Sequence, residues 1–96
     1  MNDKLKKDAS DELFKAILLL KDVEECYAFF EDICTVNEIK SLAQRFEVAK
    51  LLKKGETYTS IAKITGASTA TISRVNRAFS YGTGGYRSIL ERIKEN

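Results

Sequence analysis

Between Gly66 and Phe79 the chain reads GASTATISRVNRAF, with small hydroxyl residues and arginines threaded between Ile72, Val75 and Phe79. If those three positions face inward on a helix, Ala70, Ser73, Arg74 and Arg77 fall at i, i+3, i+4 and i+7 on the opposite stripe. Methyl and hydroxyl side chains are short enough to let a helix approach base edges in the major groove. Arginine can bond guanine bidentately or reach a phosphate. Thr69 and Ala70 stand near the helix start, where recognition helices usually touch bases. A glutamate there would repel phosphates, and none occurs between Glu56 and Glu91. A merely solvated face, or a helix pair that binds protein, would tolerate the same residues.

The elements that must position this stripe favour the nucleic-acid reading. Residues 57–79 carry the spacing of a helix-turn-helix unit: Ala62 is small enough for a close helix crossing, Gly66 occupies the turn, and Ile72 anchors the second helix. Ile61, Ala67 and Val75 fill the remaining inward positions. Thr57 or Thr59 caps a first helix through Thr65, and Ser68 caps a second to about Phe79. Lys53, Lys54 and Lys63 are candidate phosphate contacts, or ordinary surface lysines; phosphate contacts would position the protein without reading sequence. The net charge of +2 conceals an asymmetry, since residues 1–50 carry 8 basic and 11 acidic side chains while residues 51–96 carry 8 and 3. A basic second half suits a polyanion partner.

Helical periodicity extends through the rest of the 96 residues, which the size prior makes a single domain, 1–96. Leu13, Ile17 and Leu20 mark a first helix starting near Ser10, and Val23, Cys26, Tyr27 and Phe30 mark a second. The third opens on Thr35-x-x-Glu38, a capping box; Ile39, Leu42, Ala43, Phe46 and Ala49 form its stripe, and Gly55 its left-handed stop. Lys53 and Lys54 suit the negative end of that helix. The loop Ser80–Gly85 lacks the preceding strand and the lysine of a nucleotide cradle, and reads as a flexible connection, its Gly82–Gly85 stretch without an assigned role and Arg87 a possible backbone contact beyond it. Tyr86, Ile89, Leu90 and Ile93 predict a terminal amphipathic helix. Wide apolar faces and five phenylalanines in so short a chain suggest a dimer interface.

Several chemistries are excluded or disfavoured. There is no histidine, no paired-carboxylate spacing and no nucleotide loop, so no catalytic residue is expected and the chain is not read as an enzyme. Cys26 and Cys34 lie eight residues apart in one expected helix, about 12 Å along its axis, beyond disulfide reach. They are expected to be free, buried, structural thiols, with no metal site and no cofactor. The longest apolar run, Ala16–Leu20, is too short to span a membrane, and the Lys-rich start MNDKLKK is followed by acidic residues, so a cytoplasmic location is expected.

The segment TVNEIKSLAQRFEVAKLLKKGETYTSIAKITGASTATISRVNRAF resembles the Trp repressor superfamily, in particular the Trp-repressor-related proteins of the YerC/YecD type, and the resemblance extends over roughly residues 10–94. It implies an all-α helix-turn-helix fold of about six helices, forming an intertwined homodimer whose two reading heads enter successive major grooves of double-stranded DNA. The residues it assigns to DNA are Ser68, Thr69, Ala70 and Thr71, beside Ser73, Arg74, Arg77, Lys54 and Lys63 from the stripe and the basic flank. Arg45 and Arg74 match the two arginines that sandwich tryptophan in the Trp repressor, and Thr35 matches a threonine beside its carboxylate. Where the family has glycine and serine in that pocket this chain has Val75 and Ala78, which put side-chain bulk in the slot and remove a polar partner for the ammonium. Tryptophan is therefore not the expected effector, and a different small molecule is left open. A transcriptional regulator, most simply a repressor, is the leading expectation. A DNA-associated adaptor or nucleoid protein acting through a protein partner is the alternative.

Overall fold

The structure, a computed structural model, describes residues 8–93; the Lys-rich start through Lys7 and residues 94–96 lie outside them. Six helices and no strand occur among the described residues: α1 (Asp8–Ile17), α2 (Val23–Ile33), α3 (Val36–Lys53), α4 (Tyr58–Thr65), α5 (Thr69–Tyr81) and α6 (Gly85–Arg92). The chain divides into two compact units, one through Ile39 and one from Lys40.

In the first unit the helix ends are set by local hydrogen bonds. α1 is already helical at Asp8, two residues before the expected start, and it stops at Ile17, short of Leu20. Leu19 N–H donates to Ala16 O and Leu20 N–H to Ile17 O, so the chain leaves α1 through tightened turns that take Leu20 off the helical stripe. Asp22 caps α2 by accepting from Glu25 N–H at 2.8 Å, while Glu25 Oε1 accepts from Lys21 N–H at 2.9 Å. Cys34 is the extended C-cap of α2 rather than a residue inside it, and Cys26 is exposed. The expectation of buried thiols therefore fails for Cys26: the free thiol sits on a face that this unit does not cover. The capping box of α3 forms as expected, with Glu38 N–H to Thr35 Oγ1 at 3.1 Å and Thr35 N–H to Glu38 Oε1 at 2.8 Å. Accepting the Thr35 backbone N–H, and then bonding its hydroxyl, holds the Glu38 carboxyl below its ordinary pKa.

The buried core belongs to the second unit. Val48, Ala49, Ile61, Ala67, Ile72, Val75 and Leu90 are its members, and Phe46, Leu51, Leu52, Ala62, Phe79 and Tyr86 pack around them. The stripe expected on α3 holds at Ala49, which is buried, and at Phe46, which packs against the core, but is corrected elsewhere: Val48 joins them and Leu42 is 52% exposed. α3 is apolar on more than one side, so periodicity alone could not choose which side meets α4–α6. Its end is a Schellman turn at Gly55 (φ +85°), where Glu56 N–H bonds Leu51 O and Gly55 N–H bonds Leu52 O.

Candidate nucleic-acid interface

α4 and α5 form the helix-turn-helix pair, and each boundary has a physical cause. Thr57 caps α4 by accepting from Ser60 N–H, and Gly66 ends it at φ +73°, a left-handed conformation that glycine adopts without a Cβ penalty. Ser68 then caps α5, its Oγ accepting from Thr71 N–H at 3.1 Å and donating to Thr71 Oγ1 at 3.1 Å. Ile61, Ala67, Ile72 and Val75 are all buried, with Ile61 and Ile72 at 0% exposure, so the inward positions are those the spacing predicts. Completely burying such an isoleucine contributes about 1.5–3 kcal/mol, enough to fix the rotation of α5 about its axis.

With that rotation fixed, the opposite side of α5 is determined. Ser68, Thr69, Ala70, Ser73, Arg74 and Arg77 are exposed, and Thr71 is half-buried beneath them. Lys63 is exposed on α4 and Lys54 is exposed at the end of α3. α5 has no acidic residue in its first turn, which leaves its positive N-terminal end unneutralised by its own side chains. The hydroxyls of Ser68 and Thr71 are shared with the cap, so any DNA bond they make is made from a preordered geometry.

Two basic residues are engaged elsewhere. Lys53 donates from Nζ to Leu90 O at 3.1 Å, tying α3 to α6. Arg87 donates from Nε to Phe79 O at 2.9 Å with its guanidinium carbon 4.5 Å from the Phe79 ring centroid, and it too serves a protein contact. Gln44 makes a third such bond, Nε2 to Thr65 O at 3.2 Å. None of these pairings was legible in sequence, because partners 8 to 37 residues apart have no fixed spacing.

The loop before α6 is shorter than expected. α5 continues through Tyr81, Gly82 is its C-cap, and Gly85 is already the first residue of α6. A Cβ on Gly82 would collide with the Ala78 carbonyl, so this glycine serves close packing rather than flexibility. Among the residues matched to an effector pocket, Thr35 lies in the first unit with its hydroxyl and N–H both committed to the capping box. Arg45 is half-buried and Arg74 exposed in the second unit. Val75 is 2% exposed and packs in the core, while Ala78 is exposed and lines a shallow hollow with Thr83, Gly85 and Tyr86.

The family described as Trp repressor protein matches residues 8–94. The Bacillus subtilis (strain 168) protein described as uncharacterized protein YerC is 59% identical over 93 residues, which span 97% of this chain and 89% of that protein. The crystal structure of a TrpR-like protein from Eubacterium eligens ATCC 27750 superposes with a TM-score of 0.93 at 60% identity, covering 99% of this chain and 100% of the other. A crystal structure from Staphylococcus aureus gives a TM-score of 0.92 at 56% identity, covering 98% and 96%.

Proposed function

The chain belongs to the Trp repressor family, and from that premise we propose that it is a sequence-specific DNA-binding transcriptional regulator, most simply a repressor, reading operator DNA as a homodimer in the cytoplasm. Trp repressor family membership argues for a regulatory DNA-binding role over an enzymatic one. The observation that carries the proposal is the division of α5 between buried Ile72 and Val75 and an exposed ridge of Thr69, Ala70, Ser73, Arg74 and Arg77. Such a ridge is narrow enough for the major groove and cationic at its flank. Ser68 and Thr71 would add contacts from the capped start of the helix, and Lys54 and Lys63 would meet phosphates on either side.

Tryptophan is not proposed as the effector. Val75 uses its side chain to fill the core, and Ala78 offers an incoming ammonium no hydrogen bond. Calorimetric titration with tryptophan should release no binding heat; saturable binding at micromolar concentration would remove this part of the proposal.

The decisive experiment is selection of genomic fragments on the protein, followed by affinity measurement on the recovered site and on scrambled DNA across a salt series. A regulator requires a specific-to-nonspecific ratio of about 10³ or more at physiological salt. A ratio near one, with binding that vanishes as salt rises, would instead favour the adaptor or nucleoid-associated reading.

A further inference from the structure

The last carbonyls of a helix lack intrahelical donors and carry the negative end of its dipole, so a cation placed there is stabilised. In α5 the Gly82 N–H closes on Ala78 O, and the next carbonyl, Phe79 O, accepts from Arg87 Nε at 2.9 Å. In α6 the Ile93 N–H closes on Ile89 O, and the next carbonyl, Leu90 O, accepts from Lys53 Nζ at 3.1 Å. The same position, one carbonyl past the backbone cap, is thus filled in both helices by a cation from another helix. α5 has no basic residue in its own last turn, so its negative end depends on this borrowed charge. The Arg87 guanidinium also lies over the Phe79 ring at 4.5 Å, which binds it to the same residue twice. Leu90, 4% exposed, plants its side chain in the core at the same residue whose carbonyl takes the Lys53 tie.

From this chain of contacts, α3 to α6 through Lys53 and α6 to α5 through Arg87, we infer that α6 is a strut for the reading helix and that Arg87 is a positioning residue for DNA recognition, not a DNA contact. The inference rests on the proposed reading by α5. Arg77 projects two residues before Phe79 and Arg74 five before it, so the turn that Arg87 holds is continuous with the one that aims both arginines. A loose α5 end would spread Arg77 over many orientations, and specific binding would then have to pay the ordering cost that the strut removes in advance.

The test uses Arg87→Met, which keeps an apolar stem and removes the donor and the charge, and Arg87→Lys, which restores a cation. Affinity for the selected site should fall about tenfold in Arg87→Met, the size expected for losing one charged hydrogen bond, while scrambled-DNA affinity and the salt slope stay unchanged. Arg87→Lys should recover part of the loss. Amide exchange should quicken in the last turn of α5 and not in α4. A salt slope flattened by about one unit would make Arg87 a phosphate contact and overturn the inference. Equal losses on specific and scrambled DNA, or unchanged exchange in α5, would overturn it as well. Should Arg87→Met fail to fold, Phe79→Leu keeps the carbonyl and removes the ring, and must give the same split between specific and scrambled DNA at smaller size. A wild-type protein without sequence preference would sink the regulator reading itself, and the exchange of α5 amides would then decide the strut alone.

Discussion

Ser68 has two duties that single substitutions separate. Its Oγ caps α5 through Thr71 N–H, so Ser68→Ala should cost about 1 kcal/mol of folding stability. Aspartate caps as well as serine does but adds a charge that phosphate repels. Ser68→Asp should therefore leave the thermal midpoint near that of the wild type and weaken DNA binding at low salt; unchanged binding would place the α5 start away from the duplex. Arg74→Ala and Arg77→Ala divide similarly, with a loss of about 1–3 kcal/mol in specific binding for a base contact and a salt slope reduced by about one for a phosphate contact. If neither variant changes affinity at any salt, both leave the interface. At Glu38 the sign follows from a folded pKa lowered by the Thr35 backbone N–H and hydroxyl. The contribution of the capping box is complete above the carboxyl's ordinary pKa and is lost as acid carries the pH down through the lowered folded value. The stability difference between wild type and Glu38→Gln should accordingly be constant near neutrality and shrink in acid, as measured by urea unfolding across that range.

Glycines at the ends of elements differ in what they permit. Gly66 sits at φ +73° with open space where a Cβ would go, so Gly66→Ala meets only the conformational cost of the left-handed region, about 1–2 kcal/mol. Gly82 has an ordinary φ of −83°, yet its Cβ would overlap the Ala78 carbonyl that Gly82 N–H bonds. Gly82→Ala should lower the thermal midpoint more than Gly66→Ala and speed exchange of the Gly82 amide, because relief requires opening the last turn of α5. The reverse ranking would mean that the α5–α6 connection yields easily. At this scale much was legible. Thr35 and Glu38, Thr57, Ser68, Gly55 and Gly66 act within three to five residues of themselves, and local hydrogen bonds of that span have fixed sequence offsets. The end of α1 is not legible, since no residue type forces a stop at Ile17, whereas α5 runs two residues past Phe79 to the first glycine of the loop, Gly82.

No described residue of the first unit is fully buried, while Leu18 is 83% exposed, Leu19 77%, Val23 69% and Val36 64%. Helices whose apolar side chains are at most half-buried gain too little to offset the entropy of ordering them, so these exposed residues call for a cover. In the proposed homodimer a second copy would supply it, and a two-fold pair of reading heads would call for half-sites one helical repeat apart. Leu19→Lys combined with Val23→Lys should yield a monomer by sedimentation equilibrium, with site affinity falling toward that for scrambled DNA. A double variant that remains dimeric, or a monomer with undiminished specificity, would refute the role given to this face.

Sequence determined the identities of the helices, the caps at Thr35, Gly55, Thr57, Gly66 and Ser68 and the two sides of α5, because each follows from a periodicity or a short offset that the chain carries locally. Tertiary structure decided which side of α3 is buried, since Val48 competes there with Leu42 and only the packing of α4–α6 selects between them. It also decided which helix carbonyls Lys53, Arg87 and Gln44 bond. A long polar side chain reaches whatever carbonyl the fold brings near it, and that proximity is a property of helix crossings, which no residue spacing encodes.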